Sequence, residues 1–195
     1  MIKQNLLTAL VIDNNDPEKL GRVLVSLPAL PEGPELWARM VTPLAGENRG
    51  ICFLPEIGDE VLVAFSQGEL ASAYILGGLW GKEKQPPEDL DYDGNNLKMI
   101  RTRAGHTLIF DDTDDKGRIT LIDNKENSLV IDPSDGRITL NAKSTIELIT
   151  DGDIYLSGKK IILEADNTIE IKSGSSLTLD GGNEAYLKGG TVKIN

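Results

Sequence analysis

Apolar residues alternate with polar ones through most of the 195-residue chain, and the spacing of about 3.6 that marks an amphipathic helix is nearly absent. Alternation at period two places successive side chains on opposite faces of a strand. Five such runs precede residue 81: Leu6–Asp13, Arg22–Leu27, Leu36–Val41, Glu60–Phe65 and Ala73–Trp80. They are separated by breaker-rich connections, namely Asn14 to Pro17, Pro28 to Pro34, Pro43 to Gly50, and Gln67-Gly68. Five strands with long punctuated loops suit a small barrel, because closure leaves no exposed sheet edge. Gln85-Pro86-Pro87, the acidic stretch Glu88 to Asp93, and Gly94-Asn95-Asn96 then read as a linker. The expected organisation is all-β, with a barrel over residues 1–84, a linker over 85–97 and a repetitive domain over 98–195.

Repetition dominates that last part. Triplets of apolar-x-apolar start at residues 138, 146, 154, 161, 169, 177, 185 and 192, with steps of 8, 8, 7, 8, 8, 8 and 7. The inward pairs are Ile138 and Leu140, Ile146 and Leu148, Ile154 and Leu156, Ile161 and Leu163, Ile169 and Ile171, and Leu177 and Leu179. Ala185-Tyr186-Leu187 and Val192-Lys193-Ile194 follow, and the chain closes on Asn195. Looser copies occur at Leu108–Phe110, Ile119–Leu121 and Leu129–Ile131. Turn chemistry separates the units, as in Asp151-Gly152-Asp153 and Gly181-Gly182-Asn183.

Two inward side chains in every eight residues cannot offset the entropy of ordering the unit by themselves. Each unit therefore needs neighbours above, below and across. One chain could coil with three units per turn. Alternatively, three chains could each supply one face around a common axis, forming a β-prism that grows by a layer per unit and has no free edges. The pattern favours the second and does not exclude the first.

Composition narrows the function classes. Residues 1–96 carry 7 basic and 15 acidic residues (net −8), while 97–195 carry 13 and 16 (net −3), which together make the formal charge of −11. No basic stripe exists to track a phosphate backbone, so a nucleic-acid partner is not expected. The single cysteine, Cys52, cannot form an intrachain disulfide, and within Ile51-Cys52-Phe53-Leu54 it reads as a small buried side chain. The opening MIKQNLLTALVIDNND turns polar too soon for a signal peptide, so assembly in the cytoplasm is expected.

Catalytic and metal chemistry find little support. His106, the only histidine, has no recognisable nucleophile or second base nearby and suits a structural role at a barrel-to-shaft neck. Asp111-Asp112-Thr113-Asp114-Asp115-Lys116-Gly117 is acidic like a calcium loop, but aligned on Asp112 the pattern places Lys116 where an oxygen ligand belongs. A solvated turn is the expectation there. Gly181-Gly182 and Gly189-Gly190 fit tight corners. No phosphate loop or triad motif occurs. The expectation is a protein with no catalytic residues, no bound metal and no cofactor.

The N-terminal motifs carry a resemblance. Gly21-Arg22-Val23, Leu36-Trp37-Ala38-Arg39, Pro43-Leu44-Ala45-Gly46, the run from Phe53 to Phe65 (FLPEIGDEVLVAF), and Tyr74 to Trp80 resemble the OB-fold domain of the phage baseplate assembly protein V and VgrG spike family. Lys98 to Asp112 is similar to that family's lead-in to a triple-stranded β-helix. The resemblance implies a homotrimer with an OB-fold collar and an intertwined needle, driven through a target envelope when a contractile sheath shortens. It also implies hub and tube proteins as partners, a PAAR-type protein on the tip, transient contact with the target membrane, and residence in a phage virion or a secreted or extracellular injection particle. Ile138 to Leu179 in the pairs above would then form the shaft core, and Leu187, Val192, Ile194 and Asn195 the tip contacts. Three departures are informative. The chain starts at the OB domain, which implies a separate hub; no lysozyme-like insertion fits between Trp80 and Lys98; and the His-x-His pair that holds iron at simple phage tips is absent. The rival expectations are a non-piercing adaptor carrying a tip protein or effector, and a glycan-binding or depolymerase protein of the tail-fibre kind, which would need a paired-carboxylate groove.

Overall fold

The computed structural model describes residues 6–66 and 69–194, so Gln67-Gly68, expected as a turn, and Asn195, expected at the tip, lie outside the described residues. Among the described residues twelve strands occur: β1 (Leu6–Asp13), β2 (Arg22–Ser26), β3 (Glu35–Met40), β4 (Ala45–Gly46), β5 (Arg49–Gly50), β6 (Glu60–Phe65), β7 (Ala73–Leu79), β8 (Leu97–Arg101), β9 (Thr107–Asp111), β10 (Arg118–Ile122), β11 (Ser128–Asp132) and β12 (Arg137–Asn141). No α-helix is present among the described residues. The five runs expected before residue 81 are β1, β2, β3, β6 and β7, with ends shifted by a residue at most.

Those five strands pair in the order β1-β2-β3-β7-β6, and β6 returns to pair with β1, so the sheet closes on itself as a barrel. All contacts in it are antiparallel except β3 with β7, where Arg39 lies beside Tyr74 in parallel register. The period-two pattern explains the core directly. Leu7, Ala9 and Val11 of β1, Val23 and Val25 of β2, Ala38 of β3, Val61, Val63 and Phe65 of β6, and Ala73 and Ile75 of β7 point inward and are buried together with Leu27. Most are β-branched or small, which suits the pleated wall of a narrow barrel. A shift of register between Leu62 and Val63 leaves Leu76 as an extra residue opposite them and bends β7 before Gly77-Gly78. Gly58, at φ +85°, lets its N–H reach the Val11 carbonyl at 2.8 Å and starts β6 in register with β1.

One polar cluster pins the loop after β1. Asp16 is buried, and its carboxylate accepts from the N–H groups of Glu18 (3.0 Å), Leu20 (2.9 Å) and Arg22 (3.2 Å). It also accepts from Arg22 Nε at 3.1 Å and from a terminal guanidinium nitrogen at 2.8 Å. The guanidinium lies 5.6 Å from the Trp37 ring centroid, a cation–π contact that ties the loop to β3. A fork of this kind makes Arg22 a poor position for lysine.

Strands β8 to β12 form a second, entirely antiparallel sheet in sequence order, each joined to the next by a short turn. The looser repeat units at Leu108, Ile119 and Leu129 are therefore hairpin strands of one chain. The chain divides into two compact units, Met1–Ser144 and Thr145–Asn195. That division falls inside the stretch 98–195 read as a single repetitive domain, because the hairpin sheet groups with the barrel. Residues 145–194 carry no assigned strand, and every one of them is exposed.

Cys52 requires a correction. It is exposed rather than buried. The apolar run around it is not a strand but a loop after the β4–β5 hairpin, where no second layer covers it.

Ile75, fully buried at the bulged strand, tests the barrel core. Ile75→Ala is expected to lower unfolding free energy by about 2–5 kcal/mol in urea titration. An effect as small as that of an exposed substitution would show that the barrel is not the stabilising unit.

Candidate interaction surface

In the β8–β12 sheet the register of the apolar residues is explicit. Ile100, Leu108, Leu121, Leu129 and Leu140 sit opposite one another across all five strands. Two residues along, Phe110, Ile119, Ile131 and Ile138 form a parallel row that Lys98 completes at the β8 edge. Side chains two apart in a strand share a face, so these rows lie side by side as one apolar surface. It is uncovered in the single chain: Phe110 is 43% exposed, Leu121 53% and Ile138 71%. The opposite face is mixed, with Met99, Ile109 and Val130 beside Thr120 and Thr139, and with charged cross-strand neighbours Asp111–Arg118 and Asp132–Arg137. A sheet with one charged-rimmed face and one continuous aliphatic face is half of a sandwich.

The sequence reading thus brings Ile138 and Leu140 onto a surface with the upstream units, and Ile100 joins them. Ile100 is a site residue that the triplet spacing missed; its signal is the alternation Leu97-x-Met99 and Lys98-x-Ile100, which was read only as a lead-in. In the second unit, Ile146, Leu148, Ile154, Leu156, Ile161, Leu163, Ile169, Ile171, Leu177 and Leu179 are all exposed and make no strand pairing in this chain. Leu187, Val192 and Ile194, expected at a tip, are exposed as well, Ile194 the most of the three at 87%. Over some fifty described residues the repeat thus has no cover of its own.

The turns of the β8–β12 sheet are held by aspartates. Asp111 accepts from the Thr113 hydroxyl (2.6 Å) and N–H (3.0 Å). Asp123 accepts from the Asn127 side chain (2.7 Å) and from the N–H groups of Lys125 (2.7 Å) and Asn127 (2.9 Å). Asp132 accepts from the Ser134 hydroxyl at 2.6 Å, from its N–H at 3.1 Å and from the Asp135 N–H at 3.3 Å. These are Asx turns, in which the side chain replaces a backbone acceptor. In each case the donors hold the carboxyl below its ordinary range, with Thr113, Asn127 and Ser134 as the leading causes. Asp111 to Gly117 is thus the solvated turn between β9 and β10.

At the junction between β8 and the barrel, Arg103 reaches the Glu56 carboxylate at 2.7 Å and Arg101 donates to Asp89 at 3.0 Å. His106 closes the β8–β9 turn, its carbonyl accepting from Thr102 N–H at 2.9 Å and its N–H donating to the Thr102 hydroxyl at 3.1 Å. The groove beside this junction, lined by Asn14, Trp80, Pro87 and Arg103 among others, is open and of mixed charge. Among the described residues no group of three or more His, Cys, Asp or Glu is placed to hold a metal ion. Among the same residues no helix is long and apolar enough to cross a membrane.

Comparison with known proteins agrees with the barrel. Residues 7–80 match the sequence model of the type VI secretion system/phage-baseplate injector OB domain. The match starts in β1 and ends just after β7, so it coincides with the five-stranded barrel. No curated protein matches the chain.

Because the turn carboxyls titrate below their unfolded value of about 3.9, their contribution is complete above that pH and is lost as pH falls through the folded values. The thermal midpoint is expected to stay level from pH 7 to about pH 5 and to drop below about pH 4. Asp16, held low first by the Arg22 guanidinium, adds to the drop with the same sign. A midpoint that rises on acidification would contradict the turn assignments.

Proposed function

We propose that this chain, whose N-terminal barrel is an OB domain of the phage-baseplate and type VI secretion injector family, is the central spike of a contractile tail or injection system. Three copies would assemble, with the barrels as a collar against hub and tube proteins and the repeats as a needle. The observation that carries the reading is the uncovered aliphatic register: two rows across β8–β12, continued by inward pairs every seven or eight residues to Leu179. Winding three chains about an axis buries those rows against their own equivalents, and it pairs the backbone of residues 145–194 between chains.

The mechanical role follows from that packing. A shaft of cross-chain strands is stiff along its axis, so force from a contracting sheath reaches a small area of the target envelope. No step of bond making is involved, and the reading is non-enzymatic. The particle would be a virion or a secretion apparatus, assembled in the cytoplasm. The exposed Leu187, Val192 and Ile194 favour a capping protein of the PAAR type at the tip, which also keeps the adaptor reading in view. Deleting residues 187–195 separates the two. A spike lacking them still trimerises and still breaches a target membrane when the cap is supplied by fusion, whereas an adaptor loses delivery of its cargo.

Leu156→Asp tests the shaft. It places three carboxylates in one layer, each costing at least about 2 kcal/mol to bury without a partner. The wild-type protein is expected at three times the 21.2 kDa chain mass by light scattering, with a band that resists detergent until boiled. The variant is expected to lose the resistant band. A wild-type protein of single-chain mass would overturn the proposal.

A further inference from the structure

The β8–β12 sheet has two edges, and they are built differently. At the β8 edge the second apolar row ends on Lys98, whose ammonium lies 3.5 Å from the Asp112 carboxylate and also donates to the Asn95 carbonyl. An inward-pointing lysine on an edge strand blunts that edge against further pairing. Arg101, on the same strand, is held by both oxygens of Asp89, at 3.0 and 2.5 Å. The β12 edge has no such guard. All five residues of β12 are exposed, and among the described residues no strand lies beside it on the side away from β11. Its inward side chains, Ile138 at 71% and Leu140 at 54% exposed, carry both aliphatic rows out to the open edge.

The chain does not supply that missing strand to itself. Each of the four turns that fold the sheet back contains one residue at positive φ: Gly105 (+90°), Asp115 (+59°), Glu126 (+66°) and Gly136 (+58°). Residues 142–145 contain none. Instead, Lys143 is tied to the turn before β11. Its N–H donates to the Asn127 side chain at 2.8 Å, and its ammonium meets Glu126 at 2.7 Å. Parity also works against a further hairpin. A loop of two or four residues would set Ile146 and Leu148 opposite odd-numbered positions of β12, on its charged face. A three-residue loop would keep them on the apolar face but needs a left-handed residue.

We infer that the open edge of β12 in one copy is taken by Ile146-Glu147-Leu148 of the next copy. This rests on the three-chain reading above and locates the point where a single-chain sheet gives way to shared strands. The apolar pattern fits, since Ile146 and Leu148 repeat the two-apart spacing of Ile138 and Leu140 and would extend both rows by one strand. The charges fit on the other face. There Asp111, Arg118, Asp132 and Arg137 alternate in sign from strand to strand, with Asp111 beside Arg118 and Asp132 beside Arg137. Arg137 ends the series at the open edge, 67% exposed, with the exposed Asp135 of its own turn at 3.1 Å. An acid is the next member, and Glu147 is the residue that the unit places on that face, opposite or diagonal to Arg137. Residues 144–158 carry Glu147, Asp151 and Asp153 and no base, so the segment as a whole suits an arginine edge. The other charges at the two ends of β12, Asp135 and the Lys143–Glu126 pair, are already partnered. In a shaft that grows by a layer per unit, the first unit is the one level with the edge.

The full chain carrying Cys52→Ser, Thr139→Cys and Glu147→Cys tests the contact without touching the apolar rows. With Ile146 and Leu148 extending those rows, the two cysteines are cross-strand neighbours about 4.5–5.5 Å apart at Cα, within reach of a disulfide. Oxidation with copper phenanthroline is expected to shift the chain to a three-chain band on non-reducing denaturing gels, whereas either single-cysteine variant stops at two chains. Arg137→Cys with Glu147→Cys reads the register two residues along. A disulfide that consumes both thiols within a single-chain band shows that the chain covers its own edge and overturns the inference. So does a three-chain particle in which neither pair links, and both results leave the spike reading standing. A single-chain mass in solution overturns both.

Discussion

An aliphatic sheet face has to be covered, and that constraint organises everything beyond the barrel. Within the barrel it is met internally: closure turns the apolar face of each strand onto the others, and twelve residues are buried there. In the β8–β12 sheet the same alternation yields a flat surface with nothing opposite it. In residues 145–194 even the backbone pairing is left to be supplied. The chain thus passes from self-sufficient to dependent along its length, and the transition is a matter of geometry rather than of composition, since the aliphatic content is similar throughout.

The barrel was legible because its signal is local and redundant. Period-two alternation gave five strands within a residue of their ends. The two rows of the β8–β12 sheet follow the same rule, since side chains two residues apart in a strand share a side. Cys52 was misplaced because an apolar tetrapeptide looks the same in a buried strand and in a loop that awaits a partner. The Asp16 clamp was hidden for a different reason. Its meaning depends on three N–H groups and one guanidinium converging on a single carboxylate, and no spacing rule encodes that convergence. The outward Leu6, Leu10 and Leu76 were visible as letters, but only the register showed them to be neighbours.

Polar groups hold the turns while apolar groups define the faces. Asp111 and Asp132 end strands, Asp123 directly follows one, and each folds its carboxylate back over the next few N–H groups. The acidity of the repetitive part is therefore partly structural. Lys98, at the sheet's edge, is the one positive side chain within the two rows of the β8–β12 sheet.

The two sheets of the first unit differ in how far apart in sequence their partners lie. In the β8–β12 sheet each strand pairs with the one just made, as Leu121 does with Leu108 and then with Leu129. In the barrel, β1 cannot complete its pairing until Ala64 exists to meet Leu6. On a ribosome, β1 therefore waits for β6 with its double-sided leucines exposed, while the later sheet can zip up hairpin by hairpin as it emerges. The slow, aggregation-exposed interval in the life of this protein belongs to the part that buries a core of its own.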